Sequence, residues 1–128
     1  MKWKKVLLFC LLFLCITANA SAATNWVYLN DTRSYIDTET AFRSGENLFF
    51  WELIIYEEDN LVYLAGEKTT IKYEVKLTHP RTLRELESHD YDKNNQEFFF
   101  ITTPGAWFTA YPGDYYDKLI NFALRYAK

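Results

Sequence analysis

The chain has few of the residues that cross-link a protein or carry nucleophilic chemistry. Only two of its 128 residues are cysteine and only two are histidine. Both cysteines, Cys10 and Cys15, stand in the first 22 residues, so residues 23–128 contain no thiol. An internal disulfide and a cysteine nucleophile are therefore excluded from that part of the chain, even in an oxidising compartment.

The residues that remain do not form a recognisable catalytic pattern. His79 and His89 are too few for a metal site, which needs three or four converging ligands, and both are typical of surface histidines. The serines Ser34, Ser44 and Ser88 lie in no nucleophile-elbow sequence. Carboxylates are abundant, but general acid–base catalysis requires a geometry that abundance does not supply. We expect no enzyme, no catalytic residue, no metal and no cofactor.

One stretch partly imitates a calcium-binding loop. Asp90, Asp92 and Asn94 occupy the first, third and fifth positions of such a loop. The sixth position holds Asn95 instead of glycine, and the twelfth holds Ile101, where a glutamate is required. A hairpin turn explains the same residues, so we do not expect calcium binding.

Residues 1–22 have the pattern of a secretory signal peptide. Three lysines among the first five residues precede an unbroken apolar run from Val6 to Ile16, and Ala20 and Ala22 each complete a small-x-small cleavage site. We therefore expect an exported protein, in the periplasm, on the cell surface or secreted, whose domain spans residues 23–128. The cleavage site, after Ala20 or Ala22, stays open.

Two other interpretations of this segment are weaker. The apolar run is too short to cross a bilayer comfortably, so we expect no membrane insertion after cleavage. A lipoprotein would need a small residue before Cys15, and Leu14 is large.

Removal of the leader makes the chain more acidic. It takes three of the 14 Lys and Arg and none of the 17 Asp and Glu, which leaves 11 against 17 and a net charge of −6. This balance argues against binding to nucleic acid or to anionic lipid. The remaining length, roughly 105 residues, suits a single domain with one core.

The stretch from Leu48 to Glu58, LFFWELIIYEE, predicts the central strand of a sheet. Its alternate residues form one wholly apolar face, namely Phe49, Trp51, Leu53 and Ile55. The other face is mixed and contains Glu52. A short buried helix has a similar composition, but turn sequences on both sides favour a strand. We expect this strand to be covered on one face and partly covered on the other.

Further strands flank this segment. Asn25–Leu29 and Ser34–Asp37 predict two short strands, and Ala106–Ala110 one short extended piece. From Lys68 to Thr78 apolar and polar residues alternate, which indicates a half-exposed antiparallel strand with one wet face. The segment Leu61–Ala65 is a small apolar loop that we expect to pack inward.

The stretch Arg81–Tyr91 is ambiguous. Its propensity suits a helix, but a turn sequence and then Phe98–Ile101 follow it, and this order favours a strand, a turn and a strand.

The chain ends in a predicted amphipathic helix. Asp114 is a candidate N-cap, with Asp117 placed to reach back towards it. The apolar stripe of this helix consists of Tyr115, Leu119, Phe122 and Tyr126. The sequence thus predicts an α+β domain: a single antiparallel sheet of about five or six strands with a C-terminal helix packed on one face.

The order of these motifs resembles the surface-adhesin protein E-like family of small exported bacterial proteins. The resemblance is carried by Trp26, Tyr35-Ile36-Asp37, Trp51, Tyr73-Glu74-Val75, Arg84, Leu86, Tyr91-Asp92, Trp107 and Pro112-Gly113. It implies an antiparallel sheet crossed by a terminal helix, and attachment to host extracellular-matrix or plasma proteins. Many members carry a cysteine pair that ties a strand to this helix. The strand Tyr73–Leu77 and the helix have none here, so packing must hold the helix.

Aromatic residues are the remaining functional clue, since they make up about a fifth of residues 23–128. We expect most of these rings to fill the space between sheet and helix. Some can instead form an exposed patch for a protein partner or a homodimer, and the candidates are Tyr111, Tyr115, Tyr116, Phe98 and Phe100.

Three functions are compatible with this sequence. The first is an exported, non-enzymatic binding protein of the adhesin type, whose partner is a protein. The second is a structural or interaction protein of the periplasm or envelope without a host partner. The third is a carrier of a small ligand between sheet and helix, which requires an apolar cavity there.

Overall fold

The computed structural model describes residues 23–128. The predicted signal peptide, with Cys10 and Cys15, lies outside the described residues. The described part folds as an α+β domain whose elements are β1 Trp26–Leu29, β2 Ser34–Asp37, β3 Phe42–Ser44, β4 Asn47–Ile55, β5 Lys68–Lys76, β6 Thr82–Tyr91, β7 Glu97–Ile101, β8 Phe108–Thr109 and α1 Tyr115–Tyr126.

The strands form one antiparallel sheet in the order β1-β2-β4-β5-β6-β7. Two short strands join this path from the side: β3 pairs with the start of β4, and β8 with the start of β6. The sheet therefore has eight strands, and the predicted number of five or six was too small. β3 has only three residues, too few for an alternating pattern to reveal it, whereas the two residues of β8 lie within Ala106–Ala110, the short piece that was expected to be extended.

The predicted central strand is confirmed as β4. It pairs with β5 along its whole length and with β2 and β3 on its other edge. The mixed face is the fully buried one, because Leu48, Phe50 and Glu52 have no exposed surface. The wholly apolar face is only partly buried. The composition of the two faces did not show which of them would pack against the core.

The alternation in β5 is also confirmed. Its buried residues are Thr69, Ile71, Tyr73 and Val75, and the residues between them are partly exposed. They face the helix side of the sheet, where they meet Leu48, Phe50 and Leu83 in the core. The preferred interpretation of Arg81–Tyr91 is likewise correct, since β6 and β7 form a strand, a turn and a strand.

The loop after β4 differs from the expectation. Leu61, Val62 and Leu64 point outward, with 105%, 76% and 62% of their side-chain surface exposed. Tyr63 alone turns towards the domain, where its ring stacks on Tyr56 with the centroids 4.0 Å apart. The prediction that the segment Leu61–Ala65 packs inward was therefore wrong. The Tyr63 ring, whose hydroxyl also donates to Asp90 at 3.2 Å, holds the loop together with backbone N–H groups that donate to Asp59 and Asn60. The apolar side chains beside Tyr63 find no partner in the core.

Capping fixes the start of α1. The Asp114 carboxylate accepts a hydrogen bond from the Asp117 backbone N–H at 2.8 Å, as an N-cap does. Asp117 reaches back in turn, but it accepts from the Gly113 N–H at 2.9 Å, one residue before the cap. Gly113 has a φ of 80°, a backbone conformation that favours glycine. Within residues 23–128, no helix combines the length and the apolar character that crossing a membrane needs.

The face by which α1 docks is rotated from the predicted stripe. Leu119, which belongs to that stripe, is fully buried in the core together with Ile120 and Ala123, and Phe122 of the stripe packs against them. Tyr115 and Tyr126, at the ends of the predicted stripe, are 36% and 43% exposed. The predicted stripe was chosen mainly from large aromatic residues. Close approach of the helix to the sheet instead favours a small residue such as Ala123.

The helix crosses the sheet from one corner to the other. At its start, Arg81 beside β6 contacts Asp117 and Asn121. At its end, the backbone of Lys128 donates to the Ala41 carbonyl and accepts from the Arg43 N–H, at 3.1 and 3.0 Å. Apolar contact and these terminal bonds hold the helix.

Candidate functional site: the β7 edge

The most exposed apolar element of the described chain is β7, with the sequence EFFFI. Its four apolar side chains keep about half of their surface exposed: Phe98 55%, Phe99 53%, Phe100 60% and Ile101 47%. Successive residues of a strand point to opposite faces of the sheet. Similar exposure along the strand therefore means that neither face of β7 is covered.

The path of α1 explains this exposure. β7 pairs with the second half of β6, from Ser88 to Tyr91. The contacts of the helix start lie at the opposite end of β6, where β8 pairs with Thr82 and Leu83 and Arg81 meets the helix. The helix therefore leaves uncovered the corner of the sheet to which β7 belongs.

One edge of β7 is also without a neighbouring strand. In the sheet of residues 23–128, β7 is the last strand of the path and pairs only with β6. Alternate backbone N–H and C=O groups of such a strand point away from the sheet, where another chain can pair with them. Natural edge strands are commonly protected by lysine or proline. Within β7 the only protecting charge is Glu97.

His89 connects β7 to the rest of the sheet. Its Nε2 lies 3.0 Å from a Glu87 carboxylate oxygen, and its Nδ1 contacts the carboxylate of Glu97. The hydrogen bond with Glu87, and after it the one with Glu97, raises the pKa of His89 above its usual value, although burial opposes this. The ring also stacks near Phe100, with the centroids 6.3 Å apart. A positive His89 thus stabilises the start of β7.

This arrangement predicts a pH dependence of stability. Folding raises the pKa of His89, so its charged form stabilises the folded state. This stabilisation is complete at pH values below the pKa of the unfolded chain, about 6.5, and is lost as the pH rises through the pKa of the folded protein. We expect His89→Gln to cost about 0.2–1 kcal/mol below pH 6.5, with the difference vanishing at higher pH. Urea unfolding of both proteins across this range measures it. His79→Gln, in an exposed turn, is the control, and a pH-independent difference for His89→Gln would contradict the assignment.

A second group of aromatics lies on the face of the sheet opposite α1, here called the open face. Paired residues of β4, β5 and β6 point to it together, among them Trp51, Lys72 and Glu87. On the same face Trp107 lies between Lys76 and Arg84, whose cationic groups are 4.2 and 4.7 Å from its ring. A cation placed above the face of an aromatic ring is attracted to it, so these two contacts fix the position of the Trp107 ring.

The distribution of aromatic rings corrects one expectation. Among the described residues, the fully buried rings are Phe50 and Tyr73. Eight others are exposed: Tyr28, Phe42, Phe98, Phe99, Phe100, Tyr111, Tyr115 and Tyr126. The expectation that most rings fill the space between sheet and helix was therefore wrong.

The five residues selected from the sequence fall into two separate places. Phe98 and Phe100 lie on β7. Tyr111, Tyr115 and Tyr116 lie at the start of the helix, beside β8. Tyr111 is 68% exposed, whereas Tyr116 is half-buried and packs edge-on against Phe108 at 4.7 Å.

Phe99 and Ile101 were not among the residues selected from the sequence, although they are as exposed as their neighbours. Both belong to the same unbroken apolar run as Phe98 and Phe100, which was the available signal.

The most unusual buried group is the carboxylate of Glu52, which lies between the sheet and the first turn of α1. Tyr73 Oη donates to it at 2.9 Å, and Tyr115 Oη donates to its other oxygen. Burial raises the pKa of Glu52, while the bond from Tyr115 opposes the shift. The bond from Tyr115 ties the helix to Glu52 on β4. Because Glu52 has no exposed surface, its carboxylate is closed to a substrate.

Within residues 23–128 no three His, Asp or Glu side chains converge as a metal site would require. Comparison of the chain with family models, with curated proteins and with solved structures gives no match.

Proposed function

We propose that the chain is an exported, non-enzymatic protein-binding domain that pairs with its partner through the free edge of β7. The observation that carries this proposal is an edge strand of five residues that are all exposed, four of them large and apolar. A strand of this kind left open in water invites pairing with another chain.

Strand addition gives each part of β7 a role. Outward backbone groups supply hydrogen bonds that do not depend on the partner's sequence. Phe98 and Phe99 supply apolar contact, one on each face of the strand. The chain has six more acidic than basic residues after the leader, which favours encounter with a basic surface.

The resemblance to the surface-adhesin protein E-like family suggests what kind of protein the partner is. It points to an extracellular-matrix or plasma protein of a host, and the signal-like residues 1–22 support export. The fold supports this proposal as far as its architecture goes, since the resemblance implies a sheet crossed by a terminal helix.

Binding of the purified chain to immobilised matrix and plasma proteins tests the proposal. For a protein that binds, the double variant Phe98→Lys with Phe99→Lys is expected to weaken the affinity about thirtyfold, or roughly 2 kcal/mol. Lysine at an edge strand opposes pairing because its charge must be desolvated.

Phe42→Lys provides the matched control. Phe42 is 52% exposed on β3, close to the exposure of the two β7 residues, but it lies away from β7. Equal loss in the control and in the double variant would contradict β7 as the contact surface. Absence of binding to every protein of the panel would remove the adhesin function.

The location of the protein separates this proposal from a structural role in the envelope. Protease added to intact cells is expected to degrade an adhesin, which must be reachable from outside. Protection from the protease, with the chain recovered in the periplasmic fraction, would favour the envelope role instead.

A further inference from the structure

The open face carries a cleft that the proposed protein contact does not use. Its volume is about 360 Å³, within the range of about 300–1,000 Å³ that small-molecule sites occupy. The residues that give it its chemical character are Thr24, Trp26, Trp51, Thr70, His89 and Tyr91. They come from β1, β4, β5, β6 and the segment before β1, so the cleft crosses most of the sheet.

Three large aromatic side chains supply the apolar walls of the cleft. Trp26 lies on the edge strand β1, Trp51 on the central strand and Tyr91 at the end of β6. All three are only partly buried. Trp51 is held in place by Lys72, whose Nζ lies 5.9 Å from its ring centre, and by the ring of His89 at 6.1 Å. The cleft thus offers aromatic surfaces whose positions the sheet fixes in advance.

Two charged groups in the cleft are already paired. Asp37 accepts from the backbone N–H groups of Asn25 and Glu39, at 2.7 and 3.1 Å, and from the Thr40 hydroxyl. Both ring nitrogens of His89 contact glutamates. The polar groups left for a ligand are the hydroxyls of Thr24, Thr70 and Tyr91, which can donate and accept, and the indole N–H groups of the two tryptophans, which donate.

Neither charged group of the lining is free to pair with an ionic ligand, because Asp37 is held by three donors and His89 by two glutamates. The ligand that fits is therefore neutral, with flat apolar surfaces for the rings and hydroxyls for the threonines.

We propose that this cleft binds a neutral saccharide, whose ring stacks on Trp26 and Trp51 and whose hydroxyls bond to Thr24 and Thr70. A pyranose ring has both features, a face of C–H groups and a rim of hydroxyls. One or two such rings fit the volume of the cleft. The proposal goes beyond the protein contact at β7, because the residues that would hold the saccharide lie outside that strand.

Titration of the full chain with neutral disaccharides tests this site, and the indole N–H signals in NMR spectra report on it. The probes are cellobiose, maltose, lactose and chitobiose, with choline as a cationic probe and glucose 6-phosphate as an anionic one. We expect a neutral disaccharide to shift the signals of Trp26 and Trp51 saturably at millimolar concentrations. Trp107, held between Lys76 and Arg84, should stay unshifted.

Two variants locate the contact. Trp26→Ala should weaken disaccharide binding about tenfold through the loss of one stacked ring. Thr70→Val keeps the branched shape and suits a strand, so it should reduce affinity while the unfolding midpoint stays unchanged. Phe98→Lys should leave saccharide binding intact, which separates a failure of this site from a failure of β7.

Three results would overturn the proposal. The first is that no neutral disaccharide gives a saturable shift. The second is that choline or glucose 6-phosphate binds in their place. The third is that Trp107 shifts together with Trp26 and Trp51, which would indicate nonspecific association.

Discussion

Replacing Leu119 by alanine is expected to lower the free energy of unfolding by about 2.5–5 kcal/mol. Leu119 is fully buried in the core between helix and sheet, together with Ile36, Leu48 and Ile120. The substitution loses the transfer free energy of the removed atoms and leaves a cavity that close packing cannot fill. With no cysteine after residue 22, no disulfide offsets the loss. Urea unfolding monitored by circular dichroism measures the change.

Two further variants make this result specific to the docking face. Lys118→Ala, on the exposed side of α1, is expected to change stability by no more than about 0.5 kcal/mol. Tyr126→Ala, 43% exposed, should cost clearly less than Leu119→Ala. A larger loss for Tyr126→Ala than for Leu119→Ala would contradict the observed orientation of α1.

Removal of the Glu52 side chain is expected to have the next largest effect, with Glu52→Ala costing about 2–4 kcal/mol. The buried Tyr73 hydroxyl would lose its acceptor, and a cavity would open beneath the first turn of α1. Tyr115 is less affected, because it is partly exposed and can turn to water. Thermal and urea unfolding of the variant measure the loss, and a change below about 0.5 kcal/mol would contradict the tie between helix and β4.

Glu52→Gln separates the shape of this side chain from its charge. Burial raises the pKa of Glu52 above 4.5, so the native state binds this proton more tightly than the unfolded state. The contribution of Glu52 to stability therefore falls as pH rises above 4.5 through the folded value. Glutamine does not titrate, and we expect its stability relative to glutamate to increase over that interval. Parallel stability curves for the two proteins would show that burial does not perturb this carboxyl.

The elements that could be predicted from the sequence are those with enough residues to show a period. β5 alternates over nine residues, and each buried position follows from that alternation. The N-cap of α1 was predicted because Asp114 follows Pro112 and Gly113. β3 was missed because a strand of three residues carries no period, and only its pairing with β4 defines it. β8 falls within the predicted extended piece Ala106–Ala110, but the sequence did not show that it pairs with β6.

Which face of β4 is buried depends on long-range contacts, and the local sequence pattern does not contain them. The sequence predicted one covered and one partly covered face without assigning them, and the structure buries the face that contains Glu52. Its carboxylate is accommodated by Tyr73 and Tyr115, 21 and 63 residues further along the chain. Burial of an acid is favourable only where such donors meet it.

Only part of the candidate site was predicted, because the exposure of its residues also depends on long-range contacts. Phe98 and Phe100 were selected as possible contact residues, and their strand is indeed on the surface. Phe99 and Ile101 were missed because an alternating strand normally buries every second residue. Their exposure depends on the path of α1, which crosses the other end of β6 and leaves this corner open. Such a path is a property of the whole fold.

Site-resolved amide hydrogen exchange of the free protein tests most directly whether β7 is an open edge. Amides of β5, bonded between β4 and β6, are expected to be protected throughout. In β7, the amides that face β6 should be protected, while those that face outward exchange at nearly the rate of an unfolded chain. Uniform protection of residues 97–101, at the level of β5, would show that the edge is already occupied and would contradict the proposed contact surface.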